Sequence, residues 1–115
     1  MGYYSTVVIA VKAEGVASFE SVFNSGDWDS DWFTTIDHTD RAWLEPGDKA
    51  YIIENVKWYK RFPEVQAIRD WMDDNDDDCD IYKFLRRGEH VDDLEERGEA
   101  FEELYFCRTF AGIQT

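Results

Sequence analysis

The chain predicts an α+β fold: a ferredoxin-like split βαβ sandwich with a mainly antiparallel sheet, two helices on one face and an extra C-terminal strand. Three observations predict it. Two runs rich in β-branched residues, Tyr3 to Lys12 and Lys49 to Tyr59, are each followed by a stretch with a helical apolar stripe. A further strand-like run follows each helix, which makes two strand–helix–strand units with right-handed crossovers. The third is size and composition: 115 residues, 43% hydrophobic and 17% aromatic, form one domain (1-115) with enough apolar material for a core.

In chain order, Val7, Val8, Ile9 and Val11 are apolar on both faces of the first strand, as a central strand requires. Ala13 to Ser25 reads as a helix through Val16, Phe19, Val22 and Phe23, and Gly26 can end it. Trp32 to Ile36 has strand composition, Ala42-Trp43-Leu44 reads as a short strand or bridge, and Pro46-Gly47-Asp48 is a turn. Lys49 to Tyr59 alternates, with Ala50, Ile52, Val56 and Trp58 on one face and Tyr51, Ile53 and Tyr59 on the other. Pro63 opens the second helix at a position where a missing N–H costs nothing, and Val65, Ile68 and Met72 give it a face as far as about Asp74. Asp80 to Arg87 is the next strand. Gly88 to Gly98 reads as a charged connection holding a turn of helix through Val91 and Leu94. Phe101 to Phe110 reads as a closing strand antiparallel to 80–87, which would bring Cys79 and Cys107 to one height. Both helices should cover one sheet face and leave Tyr, Trp and Lys side chains on the other.

The formal net charge is −14. Nucleic acid and anionic membranes repel such a surface, because cationic contacts supply most of the affinity for phosphate. There is no run long enough to span a bilayer, no basic leader segment and no CxxC, so a reducing cytoplasm with free thiols is the expected setting.

The densest feature is the acidic run Asp70, Asp73, Asp74, Asp76, Asp77, Asp78 and Asp80, which no basic residue interrupts after Asp70. It includes the last turn of the second helix, where the macrodipole disfavours negative charge. Further carboxylates cluster at 27–48 and 89–103. Asp27-x-Asp29-x-Asp31 and Asp76-x-Asp78-x-Asp80 resemble the start of a calcium loop. They have Trp32 and Ile81 where that loop needs Gly, and His38 and Arg87 where it needs Glu. Each of these stretches joins a helix C-terminus to a strand, so the two are expected near one another. His38, His90, Cys79 and Cys107 fall in no catalytic spacing, and no nucleotide-binding or hydrolase motif occurs, so no enzyme and no cofactor are expected. Lys57, Lys60 and Arg61, and then Arg86 and Arg87, are clustered cations that facing carboxylates would neutralise.

Trp58-Tyr59-Lys60-Arg61-Phe62-Pro63-Glu64-Val65, Tyr82-Lys83-Phe84-Leu85-Arg86-Arg87-Gly88-Glu89 and Asp92-Asp93-Leu94-Glu95 together resemble small acidic proteins of tailed bacteriophages. The resemblance implies a role in host takeover in a bacterial cytoplasm, as an inhibitor of a host nuclease, defence complex or polymerase.

The leading expectation is therefore a non-enzymatic, DNA-mimic-like protein that occludes a basic surface of a host protein. Asp73, Asp74, Asp76, Asp77, Asp78 and Asp80 would supply long-range attraction, and Asp92, Asp93, Glu95 and Glu96 a second patch. Trp28 and Trp32, with Trp71, would supply apolar anchors. Two alternatives stand beside it. One is a structural or regulatory module that self-associates, as a homodimer, through its open aromatic sheet face or its edge strand, burying aromatics such as Tyr51 and Tyr59. The other is a divalent-cation-binding protein. Acidity that serves solubility alone remains the plain alternative.

Overall fold

The computed structural model describes residues 4–23, 33–59, 61–75, 80–90, 93–101, 105–107 and 112–114. The strands are β1 (Ser5–Val11), β2 (Phe33–Ile36), β3 (Lys49–Val56), β4 (Tyr82–Arg87), β5 (Leu94–Arg97), β6 (Tyr105–Cys107) and β7 (Gly112–Gln114). The helices are α1 (Ala13–Phe23) and α2 (Pro63–Asp74). The fold is α+β: an open five-stranded antiparallel sheet in the order β2-β3-β1-β4-β5 with two helices, and a separate β6–β7 hairpin.

β1 is the central strand because its sequence is apolar at both parities. Val7, Ile9 and Val11 face the helices and pack with Phe19, Phe23, Val65, Ile68, Trp71 and Met72. Val8 and Ala10 face the other way, against Leu44, Ala50, Leu85 and Phe101. α1 and α2 lie side by side on the first face. Trp71 meets Phe19 edge-on and donates its Nε1–H to Ser18 Oγ at 3.0 Å. Gly15 lets α1 start close against Ile81 and the end of β1. A Cβ there would stand 2.6 Å from Ile81 Cγ2 and 3.1 Å from Val11 Cγ1.

Four expectations change. The second sheet face is not left open: the turn carrying Trp43 and Leu44, together with Ala100 and Phe101, covers it. The alternation of β3 reverses at a bulge. Ser5 pairs Val56 while Val7 pairs Ile53, so β3 holds one more residue than β1 there. Val56 and Trp58 therefore join Tyr51 and Ile53 on the helix side. The strand beside β4 is Leu94–Arg97, not 101–110. Cys79 lies outside the described residues, and the strand carrying Cys107 pairs with β7. Lastly, the C-termini of α1 and α2 are not near one another. β2 runs parallel to β1 and β4 antiparallel to it, so the two helices finish at opposite ends of the sheet. The acidic stretches 27–31 and 76–79 themselves lie outside the described residues.

Two long-range contacts fix the chain around β1. No capping residue stands just before Ala13. Asp48, buried, supplies the cap from across the sheet: its carboxylate accepts the N–H of Ala13 at 2.9 Å and that of Glu45 at 3.1 Å, with Lys12 Nζ at 3.8 Å. At the other contact Gly98, at φ +84°, brings the chain against the Tyr82 carbonyl, where a Cβ would collide, and the Ala100 N–H then donates to that oxygen at 3.3 Å. Asp48→Ala should cost about 1–2 kcal/mol in urea unfolding by loss of the cap. Gly98→Ala should cost at least about 1–3 kcal/mol through backbone strain alone. Unchanged midpoints would remove both contacts from the account.

Candidate functional site

α2 and β5 meet through charge rather than apolar surface. Arg69 and Asp73 are one helical turn apart, about 6 Å along the axis, and Glu95 and Arg97 are two strand residues apart, about 6.7 Å. The steps match, and the charges are reciprocal. Arg69 Nη1 and Nη2 donate to Glu95 Oε2 and Oε1, each at 3.2 Å, and Arg97 Nη2 donates to Asp73 Oδ1 at 2.9 Å. Arg86, opposite Glu95 in the β4–β5 ladder, donates its Nε–H to Glu95 Oε1 at 3.0 Å. Its Nη2 reaches Asp93 Oδ1 at 2.8 Å and its Nη1 reaches Ser5 Oγ at 3.0 Å. On the other sheet face Lys83 Nζ pairs with Glu96 Oε2 at 2.8 Å. Burial alone would raise the Glu95 carboxyl, but the hydrogen bonds and charges of Arg69 and Arg86 outweigh it and hold the group below its ordinary value. Ser5, Trp58 and Tyr59 join Arg69, Arg86, Asp93 and Glu95 around a cavity of about 400 Å³, in which two guanidinium groups face two carboxylates. Arg86 is thus neutralised locally, by Asp93 and Glu95.

The opposite balance holds at the end of the sheet where β1 finishes. α1 starts there, β2 runs into the 37–48 turn, α2 finishes, and the chain returns from β5 past Tyr82. Glu14, Asp40, Glu45, Asp74, Asp80 and Glu99 are exposed at this end and Asp37 is half-buried. None of these seven carboxylates lies in an ion pair among the described residues. Of the cations nearby, Lys12, Lys49, Lys83 and Arg97 are engaged by Asp48, Glu20, Glu96 and Asp73, and Arg41, exposed in the 37–48 turn, donates from Nη1 to the Asp40 carbonyl at 3.0 Å. Hydrogen bonds from the Thr39 hydroxyl and N–H to Asp37 Oδ1, at 2.6 and 2.9 Å, hold that carboxyl below its ordinary value.

The residues expected to bind a partner are divided by these two environments. Asp74 and Asp80 are exposed at the acidic end, and Asp73 is exposed beside them with Arg97 on it. Asp93, Glu95 and Glu96 do not stand as a second free patch; each holds a lysine or arginine of its own chain. Within 89–103 the sequence offers only Arg97 as a cation; Arg69, Lys83 and Arg86 come from other elements to oppose these carboxylates. Trp71 is no surface anchor, being 5% exposed between the helices and the sheet. Asp76, Asp77, Asp78, Asp92, Trp28 and Trp32 lie outside the described residues, as do most of both calcium-like stretches. Among the described residues no group of three His, Cys, Asp or Glu side chains has metal-binding geometry.

Tyr51 is not available for self-association. It is 2% exposed under the helices, and its hydroxyl donates to Glu20 Oε2 at 2.7 Å. That bond, first among several causes, lowers the Glu20 carboxyl, while burial raises the Tyr51 hydroxyl. Tyr59 is half-buried, with the Arg61 guanidinium 5.1 Å from its ring centroid. His38 and His90 stand at opposite ends of the sheet and cannot share one acid–base site. No helix among the described residues is long and apolar enough to cross a membrane.

Comparison with protein-family models, with curated proteins and with solved structures finds no match to this chain.

The Glu95 contacts give a pH-dependent prediction. A carboxyl lowered in the folded state stabilises above its unfolded value, about 4.3, and that stability fades as pH falls through the folded value. Glu95→Gln should cost about 1–3 kcal/mol in urea unfolding at neutral pH, by leaving arginine donors short of an acceptor. The gap from the parent protein should narrow below about pH 4. A gap of constant size across pH would show that the carboxylate charge contributes nothing.

Proposed function

We propose that the chain is a non-enzymatic acidic binding protein that docks on a basic surface of a host protein and occludes it, in the manner of a nucleic-acid mimic. One observation carries this reading. Among the described residues the ion pairs gather cations onto structural carboxylates, and seven carboxylates outside those pairs stand at the end of the sheet where β1 finishes. Were acidity only a matter of solubility, exposed carboxylates would have no reason to converge from α1, the 37–48 turn, α2 and the Glu99 segment. The end is also stiff, since Asp48, the Thr39 turn and Asn75 each tie the backbone down. Fixed spacing together with density is what imitation of a phosphate array requires. Direct binding of nucleic acid or of an anionic membrane runs against the same charge.

The partner class, a nuclease, defence complex or polymerase met in a bacterial cytoplasm, rests on the resemblance to small phage proteins alone. The ferredoxin-like assignment of the fold belongs to the same proposal. It is supported by two helical connections that each join parallel strands with a third strand between them.

The test is retention of a bacterial-lysate protein on the immobilised chain, eluted by a salt gradient. Affinity for the retained protein should fall at least about tenfold between about 50 and about 500 mM salt, because exposed charges are screened. A variant carrying Asp37→Asn, Asp40→Asn, Asp74→Asn and Asp80→Asn should fold and should lose most of the retention. Retention that ignores both salt and these substitutions would end the proposal.

A further inference from the structure

The two edges of the sheet are built differently. At one edge, β5 reads Leu94-Glu95-Glu96-Arg97, and three of its four side chains are engaged in ion pairs with α2 and β4. Such charges are the usual protection of an exposed edge. At the other edge, β2 reads Phe33-Thr34-Thr35-Ile36, with no charge, no proline and two exposed β-branched residues in its middle. Among the described residues no strand pairs with its outer side. Alternate residues of an edge strand turn N–H and C=O outward, which makes it a template for an added strand.

The charge around β2 decides what could add to it. Phe33 pairs with Ile53, so the exposed Glu54 stands next to the start of β2, and Asp37 and Asp40 stand at its end. The edge is uncharged but bracketed by carboxylates. Pairing of two copies edge to edge and antiparallel would bring Glu54 of each copy toward Asp37 and Asp40 of the other, on a chain that already carries −14. The same bracket attracts an extended segment with lysine or arginine at either end.

We propose that β2 is the docking edge for an extended cationic segment of the partner, which adds to the sheet as a sixth strand. This rests on the basic-partner reading above and gives it a form. Charge at the ends brings the segment in, and main-chain hydrogen bonds along Phe33–Ile36 hold it. Thr34 and Thr35, exposed on opposite faces of the strand, lie beside its side chains.

The experiment compares two synthetic peptides of equal length and charge on the whole protein. One alternates lysine with valine and forms strands readily. The other has proline in place of alternate valines and cannot pair along its length. Affinity is measured by titration, and amide exchange is followed residue by residue. The alternating peptide should bind about tenfold more tightly or better, and should slow exchange at the outward-facing amides of β2. The triple variant Asp37→Asn, Asp40→Asn, Glu54→Gln should weaken it. Equal affinity of the two peptides, with no protection at β2, would overturn the edge and leave charge-led docking standing. No binding of either peptide would overturn both. Protection of the β2 amides in the free protein as its concentration rises would show that the edge pairs with a second copy, which would also overturn the proposal.

Discussion

Burial of β1 on both faces is the constraint on which the rest of the molecule depends. A strand with Val7, Ile9 and Val11 on one side and Val8 and Ala10 on the other must be paired at both edges and roofed on both faces. The helices provide one roof. The other comes from two irregular pieces of chain, the turn around Trp43 and Leu44 and the segment through Ala100 and Phe101. These fit because Ala10 and Ala50 are small. Lys12 closes the arrangement from β1 itself. Its ammonium lies 4.4 Å from the Phe101 ring centroid and 3.8 Å from Asp48, so one side chain ties the end of β1 to both pieces.

With the core held this way, charge is left to do two separate jobs. Between α2 and β5 it replaces hydrophobic contact: four ionic side chains in matched steps attach an edge strand that has almost nothing apolar to bury. Partly buried pairs of this sort specify register more than they add stability, since desolvation offsets much of the attraction. At the far end of the sheet the carboxylates lack such partners. The charge of the described residues thus divides into a balanced region and an unbalanced one, and only the unbalanced one is an argument about partners.

Elements whose stability comes from apolar periodicity were legible in the sequence. The β1 run, the Phe19–Phe23 stripe of α1, the Val65–Ile68–Met72 stripe of α2 and the Tyr82–Phe84–Leu85 strand all declare themselves through residues that end up buried. Elements held by distant polar contacts were not. Leu94–Arg97 has the composition of a loop and becomes a strand only because Arg69, Arg86 and Lys83 arrive from elsewhere. Its signal, charges of alternating sign two apart facing an Arg–Asp pair four apart on a helix, is readable only once the two are known to be neighbours. Asp48 looks like a turn residue, and its role at Ala13 crosses 35 residues. The β3 bulge leaves no mark on the alternation that precedes it, and for that reason Val56 and Trp58 stand with Tyr51 and Ile53 rather than with Ala50 and Ile52.

The C-terminal turn of α2 carries one more implication. It contains Asp73 and Asp74 and no basic residue, so its own carbonyl dipoles oppose its side chains, and among the described residues Arg97 and the Asn75 cap relieve the conflict. The folded state therefore holds a local electrostatic frustration that positive charge from outside would relax. Thermodynamic linkage then requires that whatever cation settles on this corner also tightens the helix beneath it, so recognition and rigidity rise and fall together.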